Sequence, residues 1–276
     1  RVDHEVRGAG GWLALTQHKH PLTRGFRAIG RGDTPVGILL IARNPPFEQM
    51  DPLFTHGDAM AARYGGRTMA DTIDVKKTLP AYRAKQGQFD TVDVPTMQYL
   101  MVDGHGDPNT APEHAAAIQA LYPVAYALKF HSKRELGRDY VVPPLEGLWW
   151  ADDMASFTDA RDKSRWSWTM MIMTPDWINH DTFAAAVEKV SAASAPARIA
   201  DVRLATLAEG TCVQTLHIGS YDDEAPVLAR MHDEVIPERG FRMTGLHHEI
   251  YLSDARRVAP EKLRTILRQP VVPASA

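Results

Sequence analysis

The 276-residue sequence has little of three features that would assign a chain to a special class. Its single cysteine, Cys212, cannot form an internal disulfide and agrees with a reducing compartment, so we expect a cytoplasmic protein. Apolar runs such as residues 36–42 are far shorter than the roughly 18 residues that a membrane helix needs. A net charge of −3 offers no basic face for nucleic acid. We therefore expect neither a membrane nor a nucleic acid as partner.

The sequence also lacks the short motifs of several common enzyme classes. His247 and His248 are adjacent, whereas a zinc-protease helix needs two histidines four residues apart, so we expect no metal. Gly104 and Gly106 have no third glycine at a helix start, and no G-x-S-x-G elbow occurs, so neither a dinucleotide cofactor nor a serine nucleophile is indicated. Cys212 alternates with other strand residues and is more typical of packing than of catalysis. No cofactor is expected.

The chain divides into two regions of different patterning. Residues 1–68 are rich in Gly, Arg, His and Pro and show only weak periodicity, whereas clear patterning begins near Met69. We interpret residues 1–68 as a poorly patterned extension, non-native or disordered, and Met69 as a candidate for the natural start. Residues 69–276 are then expected to form the folded domain, as a monomer or a homodimer.

The second region contains the order strand, helix, strand, strand. A strand is predicted at residues 97–103, followed by a helix whose first turn has the capping-box pattern of Thr110 and Glu113. Apolar residues at helical spacing continue that helix. Two strands, at residues 140–150 and 166–173, complete the first unit.

A similar order follows in the second half of the chain. Residues 199–207 and 211–219 are predicted to form a hairpin, and Asp222 and Asp223 precede an amphipathic helix. A strand comes next, and a last helix is predicted from Pro260. Two such units predict an α+β fold, in which antiparallel sheets carry helices on one face. A ligand groove is expected between the halves, because binding sites favour such junctions.

One strand near the carboxyl end suggests what this groove could bind. In residues 245–252, the side chains of His247, Glu249 and Tyr251 alternate onto one face, opposite Leu246 and Ile250. A carboxylate between an imidazole and an aromatic ring suits a cationic or polarised aromatic ligand. The competing interpretation is a solvated glutamate on an exposed sheet face, since glutamate is usually exposed.

Four of the six tryptophans lie within residues 149–168. Core packing is the ordinary role of tryptophan. However, Trp149 and Trp150 point in opposite directions along a strand, so one of them should face away from a one-sided core. A cation above such a ring gains roughly 0.5 to 2 kcal/mol. The candidate ligand-contacting residues are therefore Trp150, Trp166, Trp168, Tyr99, Tyr221, Tyr251 and Glu146.

Several runs of residues resemble the GyrI-like family of small-molecule-binding domains. The resemblance extends from residue 69 to residue 270. The matching runs are Asp93-Val94-Pro95, Met101-Val102-Asp103-Gly104, Gly106-Asp107-Pro108-Asn109, Pro144-Leu145-Glu146-Gly147-Leu148-Trp149-Trp150, His248-Glu249-Ile250-Tyr251-Leu252-Ser253-Asp254, Ala259-Pro260-Glu261-Lys262-Leu263 and Ile266-Leu267-Arg268-Gln269-Pro270.

This resemblance implies a duplicated strand-helix-strand-strand fold and a groove carboxylate on the last strand, which here is Glu249. The tryptophan-rich run at residues 144–150 is typical of stand-alone members, some of which look like hydrolases that open cyclopropane rings of DNA-alkylating compounds. The first hypothesis is thus an enzyme of detoxification and drug resistance, with Glu249 as general base. A non-catalytic protein that sequesters drug-like molecules is the second hypothesis, and modulation of DNA gyrase is the third.

Overall fold

A computed structural model describes residues 72–152 and 162–274, and the expectation for residues 1–68 lies outside this part of the chain. The described residues form nine strands: β1 (Asp90–Val94), β2 (Met97–His105), β3 (Leu145–Trp150), β4 (Ser167–Thr174), β5 (Arg203–Leu207), β6 (Gly210–Ile218), β7 (Phe241–Met243), β8 (His247–Tyr251) and β9 (Arg264–Pro273). Eight of them follow the sheet order β1-β6-β9-β8-β3-β4-β2-β5, and β7 pairs with β9. All these pairings are antiparallel, which confirms the predicted α+β class.

The α-helices within the described ranges are α1 (Val75–Thr78), α2 (Pro112–Glu135), α3 (His180–Ala193), α4 (Ala225–Ala229) and α5 (Ile236–Glu238). A π-helical turn, Arg230–Val235, joins α4 to α5, and we call residues 225–238 the C-terminal helical segment. The predicted cap of α2 is wrong: Ala111 occupies the N-cap without a side-chain hydrogen bond, and Pro112 begins the helix. Proline suits that position because the first helical N–H groups need no partner within the helix.

The described elements repeat in the predicted order. The first unit is β2-α2-β3-β4, and the second is β6, the C-terminal helical segment, β8 and β9, with β7 inserted before β8. In the sheet the units are arranged as β2-β4-β3 and β8-β9-β6, so that β3 and β8 meet at the centre. Gly147 pairs with Glu249 across this central junction, and Trp149 pairs with His247.

The longest helix and the C-terminal helical segment pack on the same face of the sheet, which we call the helix face. Apolar residues of α2 bury against β2 and β4 there, namely Ala117, Leu121, Val124 and Leu128 against Leu100, Val102, Trp168, Met170 and Ile172. The C-terminal helical segment buries Met231, Val235 and Ile236 against Val213, Leu267 and Val271. Each fully buried side chain of this size contributes roughly 1.5 to 3 kcal/mol. The central pair β3–β8 lies between the two helical layers.

The opposite face of the sheet is also buried, which the sequence analysis did not expect. Its apolar cluster contains Tyr82, Tyr99, Met101, Leu148, Met171, Cys212, Ile250 and Ile266, and Val75 of α1 joins it. The two-residue links 95–96 and 208–209 join strands at opposite edges of the sheet. Because so short a link spans only about 10 Å, the two edges must approach each other. The sheet therefore curves around this second cluster.

Two predicted elements are wrong. The hairpin of residues 199–207 and 211–219 does not form, because β5 pairs with β2 whereas β6 pairs with β1 and β9. The helix predicted from Pro260 is a three-residue 3-10 turn followed by β9. Residues 265–271 are all buried, since β9 has strand neighbours on both sides and cover on both faces. Such a strand lacks the alternation by which strands are recognised in a sequence.

Candidate functional site

Glu249 lies at the middle of β8 on the helix face, and its side chain is 14% exposed. The Tyr251 hydroxyl donates a hydrogen bond of 2.7 Å to Glu249 Oε2. The indole Nε1 of Trp149 in turn donates to the Tyr251 hydroxyl oxygen at 3.0 Å. Burial, and then the negative charge of Glu249, raise the pKa of Tyr251 well above its ordinary value, so this phenol remains a donor. The carboxylate is thus held in place from β3 and from its own strand.

Gly147 makes room for this arrangement. It pairs with Glu249 across the β3–β8 junction. A Cβ atom at residue 147 would lie 2.8 Å from Trp149 Nε1 and 3.1 Å from the Tyr251 hydroxyl oxygen, both closer than ordinary contact. The indole and the phenol therefore occupy the space above a residue that has no side chain.

Further aromatic rings adjoin Trp149 and Tyr251, and together these rings form a wall beside Glu249. The Tyr221 ring packs edge-to-face against Tyr251, with a centroid separation of 5.6 Å, and Trp166 packs in the same way against Trp149 at 5.9 Å. Edge-to-face packing of this kind fixes ring positions and adds about 0.5–1.5 kcal/mol per pair. The Lys163 ammonium lies 5.7 Å from the Trp166 ring centroid, so that ring already contacts a cation.

Imidazole rings lie on the other side of Glu249. His247 Nε2 is 3.6 Å from Glu249 Oε1, and the His232 ring of the π-helical turn lies 6.0 Å from the His247 ring. Burial, and then His247, lower the pKa of His232 to about 4, so His232 is neutral at pH 7. Neither His247 nitrogen nor His232 Nε2 has a hydrogen-bond partner among the described residues.

The sequence analysis did not identify a second carboxyl group that lies close to Glu249. Glu224 precedes α4 and is only 4% exposed. Burial, and then the charge of Glu249, raise the pKa of Glu224 well above its ordinary value. In the sequence, Glu224 is the last of three consecutive acidic residues, and the helix prediction involves only the first two, Asp222 and Asp223. Nothing in that run shows which of the three would be buried.

The structure gathers some of the predicted site residues around Glu249 and places others elsewhere. Tyr251, Tyr221 and Trp166 belong to the wall just described, together with Trp149. Trp150 packs on the opposite face, where it contacts the second apolar cluster. The sheet therefore separates Trp150 from Glu249.

Three further predicted residues also lie away from Glu249. Tyr99 is fully buried on the opposite face. Trp168 is fully buried beneath α2, where its Nε1 donates to the carbonyl oxygen of Gly106 at 3.2 Å. A Cβ at Gly104 would lie 2.0 Å from the Trp168 ring, so this indole fills the core rather than a groove.

Glu146, the remaining predicted ligand residue, belongs to a buried charge network on the opposite face. It accepts a 2.6 Å hydrogen bond from Tyr82 and lies 2.9 Å from His248 Nε2. Glu209 contacts His248 Nδ1 at 3.0 Å and accepts from Arg268 Nη1 at 2.8 Å. Burial alone would raise the pKa of Glu209, but His248 and Arg268 lower it to about 2. Because all five groups are almost fully buried and paired, their role is structural.

Other kinds of site find little support in the described ranges. Within residues 72–152 and 162–274, no group of three or more His, Cys, Asp or Glu residues could hold a metal ion. No helix of this part is long and apolar enough to cross a membrane. A cavity of about 160 Å³ lies between α2 and α3, lined among others by Phe130, His131 and Lys189. None of the predicted site residues lines it.

Comparison with known proteins agrees with this architecture. Residues 87–272 match the profile of the GyrI-like small molecule binding domain. A conserved uncharacterised protein from Listeria innocua is 38% identical with a TM-score of 0.67, and a hydrolase from Listeria innocua is 36% identical with a TM-score of 0.63. Each alignment covers 73% of this chain and 100% of the other. No protein with a curated description matches the sequence. The chain belongs to the family of GyrI-like small-molecule-binding domains.

Proposed function

We propose that the protein binds flat aromatic or cationic molecules beside Glu249 and hydrolyses those that contain an activated cyclopropane ring. The observation that carries this proposal is a carboxylate at 14% exposure, held by a phenol and adjoined by further rings. Carboxylates are rarely buried without a structural partner or a function, and among the described residues the ion-pair partner of Glu249 is the imidazole of His247 at 3.6 Å, with no lysine or arginine. Rings suit the flat part of a ligand, and the carboxylate suits a positive charge or an attacking water.

In the proposed reaction Glu249 is a general base. Its Oε2 accepts the Tyr251 hydrogen bond, which leaves Oε1 to accept a proton from water. The water oxygen forms a bond with a cyclopropane methylene carbon, and the ring carbon–carbon bond breaks. The released electron pair enters an adjoining dienone, whose carbonyl becomes a phenolate oxygen. That oxygen takes up one proton, so the net change is the addition of one water molecule.

The rings would position the substrate in this reaction. Trp149 donates a hydrogen bond to Tyr251 and Tyr221 packs against the Tyr251 ring, so a flat ligand against them would lie beside the carboxylate. Fixing a reactant in this way removes much of the entropy of activation. A positioned base adds typically 10²- to 10⁴-fold in rate. Because a cyclopropane ring is already strained, its opening needs little catalysis beyond these two effects.

The comparison with known structures gives this proposal further support, since one relative of 36% identity is described as a hydrolase. The consequence for a cell would be removal of an alkylating compound, which is detoxification. The second candidate is binding without chemistry. It is favoured by the Tyr251 hydrogen bond, which stabilises a carboxylate that could pair with a cationic drug.

Glu249→Gln separates these candidates, because glutamine keeps the shape of the side chain but neither carries the charge nor accepts the proton. The substrate would be the parent spirocyclopropyl cyclohexadienone, which water converts to tyrosol, with product followed by chromatography. We expect kcat to fall by about 100-fold or more. Affinity for tyrosol should stay within about threefold, whereas affinity for the planar cation ethidium should fall about tenfold, equivalent to about 1.4 kcal/mol.

The matched control is Glu188→Gln, which makes the same chemical change at an exposed position of α3. This variant should behave as the wild type in every assay. Full turnover by Glu249→Gln would exclude Glu249 as the base. Ethidium binding that depends on Glu249, without any tyrosol formed by the wild type, would establish the binding-only candidate instead.

A further inference from the structure

Glu224 is the buried acidic group whose environment is hardest to explain as structure alone. It follows the 3-10 turn Tyr221–Asp223 and is 4% exposed, whereas Asp222 and Asp223 are exposed. Its Oε1 has no hydrogen-bond partner within the part of the chain that the structure describes. A buried polar atom without a partner loses about 1–3 kcal/mol of hydration. A purely structural role would leave that loss uncompensated.

The surroundings of Glu224 favour the neutral form of its carboxyl group. Burial, and then the charge of Glu249, raise the pKa of its carboxyl group well above the ordinary value. Thr265, and then Lys163, oppose this rise in pKa, and the Lys163 ammonium already pairs with Asp222 at 3.0 Å. The groups that face Glu224 from the surrounding elements are Glu249 and Tyr251 of β8, Thr265 of β9, Tyr221 and Asp222 of the preceding turn, and Lys163.

Other buried polar atoms without partners lie on the same face. Thr215 of β6 pairs with Leu267, which in turn pairs with Glu249, and Thr265 of β9 pairs with Tyr251. His247 precedes Glu249 by two residues on β8, and His232 of the π-helical turn lies against His247. These two threonines and two histidines all have side-chain atoms without hydrogen-bond partners among the described residues. Glu249 is thus adjoined both by rings and by buried donors and acceptors. A ligand suited to both would place a flat part against the rings and a polar oxygen near Glu224.

We propose that Glu224 is the proton donor of the site, and that it protonates a carbonyl oxygen of the substrate while Glu249 takes a proton from water. This inference rests on the function proposed above. Carbon–oxygen bond formation and carbon–carbon bond cleavage convert the carbonyl into a phenolate, and Glu224 neutralises that oxygen as it forms. The proton gained by Glu249 then returns to Glu224, so both carboxyl groups regain their starting states.

The inference also explains why two carboxyl groups are kept together without a shared cation. Two such groups in one site cannot easily both ionise, and so one is the base and the other the acid. Glu224 is the more deeply buried of the two, and burial and the neighbouring charge raise the pKa of its carboxyl group. An acid that stays protonated at neutral pH can stabilise the developing phenolate, which a water molecule would do less well.

The test is turnover of the spirocyclopropyl cyclohexadienone by Glu224→Gln, with Glu234→Gln on the same helical segment as the matched exposed control. Glutamine is neutral, like the protonated glutamate, but cannot transfer a proton. We expect kcat to fall about 100-fold with affinity for tyrosol within about threefold. In the wild type, kcat should decline at alkaline pH as Glu224 loses its proton, and the variant should lack that decline.

The outcomes distinguish this inference from the proposed function. Wild-type kcat and an unchanged alkaline decline in Glu224→Gln, with turnover lost in Glu249→Gln, would overturn the role of Glu224 and leave the hydrolysis intact. An absence of tyrosol with the wild-type protein would overturn both. If Glu224→Gln does not fold, the wild-type infrared spectrum decides: a protonated carboxylic acid band at neutral pH supports the donor, and its absence excludes it.

Discussion

The substitution Gly147→Ala tests whether the centre of the β3–β8 junction is built for the site. A Cβ at residue 147 would lie 2.8 Å from Trp149 Nε1 and 3.1 Å from the Tyr251 hydroxyl oxygen. Ordinary contacts of a Cβ begin near 3.4 Å, so the indole would have to move by roughly half an ångström. That movement lengthens the 3.0 Å hydrogen bond between Trp149 and Tyr251.

The magnitude follows from these contacts. Overpacking of a well-filled core costs typically 1–3 kcal/mol. Weakening the hydrogen bond adds about 0.5–1.5 kcal/mol. We therefore expect the free energy of unfolding to fall by about 2–4 kcal/mol. Because Tyr251 also holds Glu249, affinity for ethidium should fall about tenfold in the protein that remains folded.

Urea unfolding gives the stability change, and quenching of tryptophan emission by ethidium gives the affinity. Gly240→Ala is the control, because Gly240 has φ of +71° and no atom within 4 Å of the added Cβ. It should lower stability by about 1–2 kcal/mol through backbone strain and leave ethidium binding unchanged. The reasoning is refuted if Gly147→Ala is no less stable than Gly240→Ala and binds ethidium as the wild type does.

Three further predictions concern single groups. Tyr251→Phe removes the donor to Glu249 and should lower kcat about tenfold in the tyrosol assay. Arg268→Met removes the guanidinium from Glu209, which leaves His248 between two buried carboxylates, and it should lower the free energy of unfolding in urea by about 3–5 kcal/mol, without altering ligand affinity of the folded protein. Burial lowers the pKa of His114 and His232 from 6.5 to about 4, so the folded protein binds these protons less readily than the unfolded chain does. The free energy of unfolding is therefore unaffected by these two groups above about pH 6.5 and falls below it. As pH falls from 6.5 towards 4, urea unfolding should show a loss of up to about 3 kcal/mol per histidine, smaller when that residue is glutamine.

Much of the fold could be predicted from the sequence, because the patterns that identify most of its helices and strands are local. The strand of Glu249 and Tyr251 follows from alternation over five residues, and the repeated order follows from helix and strand periodicity. The strand β9 could not be recognised, because burial on both faces removes alternation from residues 265–271. The pairing of β5 with β2 rather than with β6 depends on curvature of the whole sheet. No local sequence pattern indicates this pairing.

To predict which residues surround Glu249, one must know which face of the sheet carries the helices. Period two divides β3 into Glu146, Leu148 and Trp150 on one side and Gly147 and Trp149 on the other. Both sets contain a tryptophan, so composition did not decide between them. The structure places Trp149 beside Tyr251, and it places Glu146 with His248 in a buried network on the opposite face.

The burial of Glu224 is also difficult to predict from the sequence, because it depends on residues far along the chain. Its role depends on a strand that lies 25 residues further along the chain, since 249 − 224 = 25. In the sequence it is one of three consecutive acids before a helix, a common capping pattern. Only the packing of the preceding turn against β8 and β9 buries the third acid and exposes the first two.

A crystal structure of the protein with tyrosol bound would test the central claim most directly, because it shows which atoms contact the ligand. We predict that the phenol ring lies against Trp149 and Tyr221, with the hydroxyethyl oxygen within hydrogen-bond distance of a Glu249 oxygen. Tyrosol bound instead in the cavity between α2 and α3, with Glu249 contacting only protein atoms, would contradict the account.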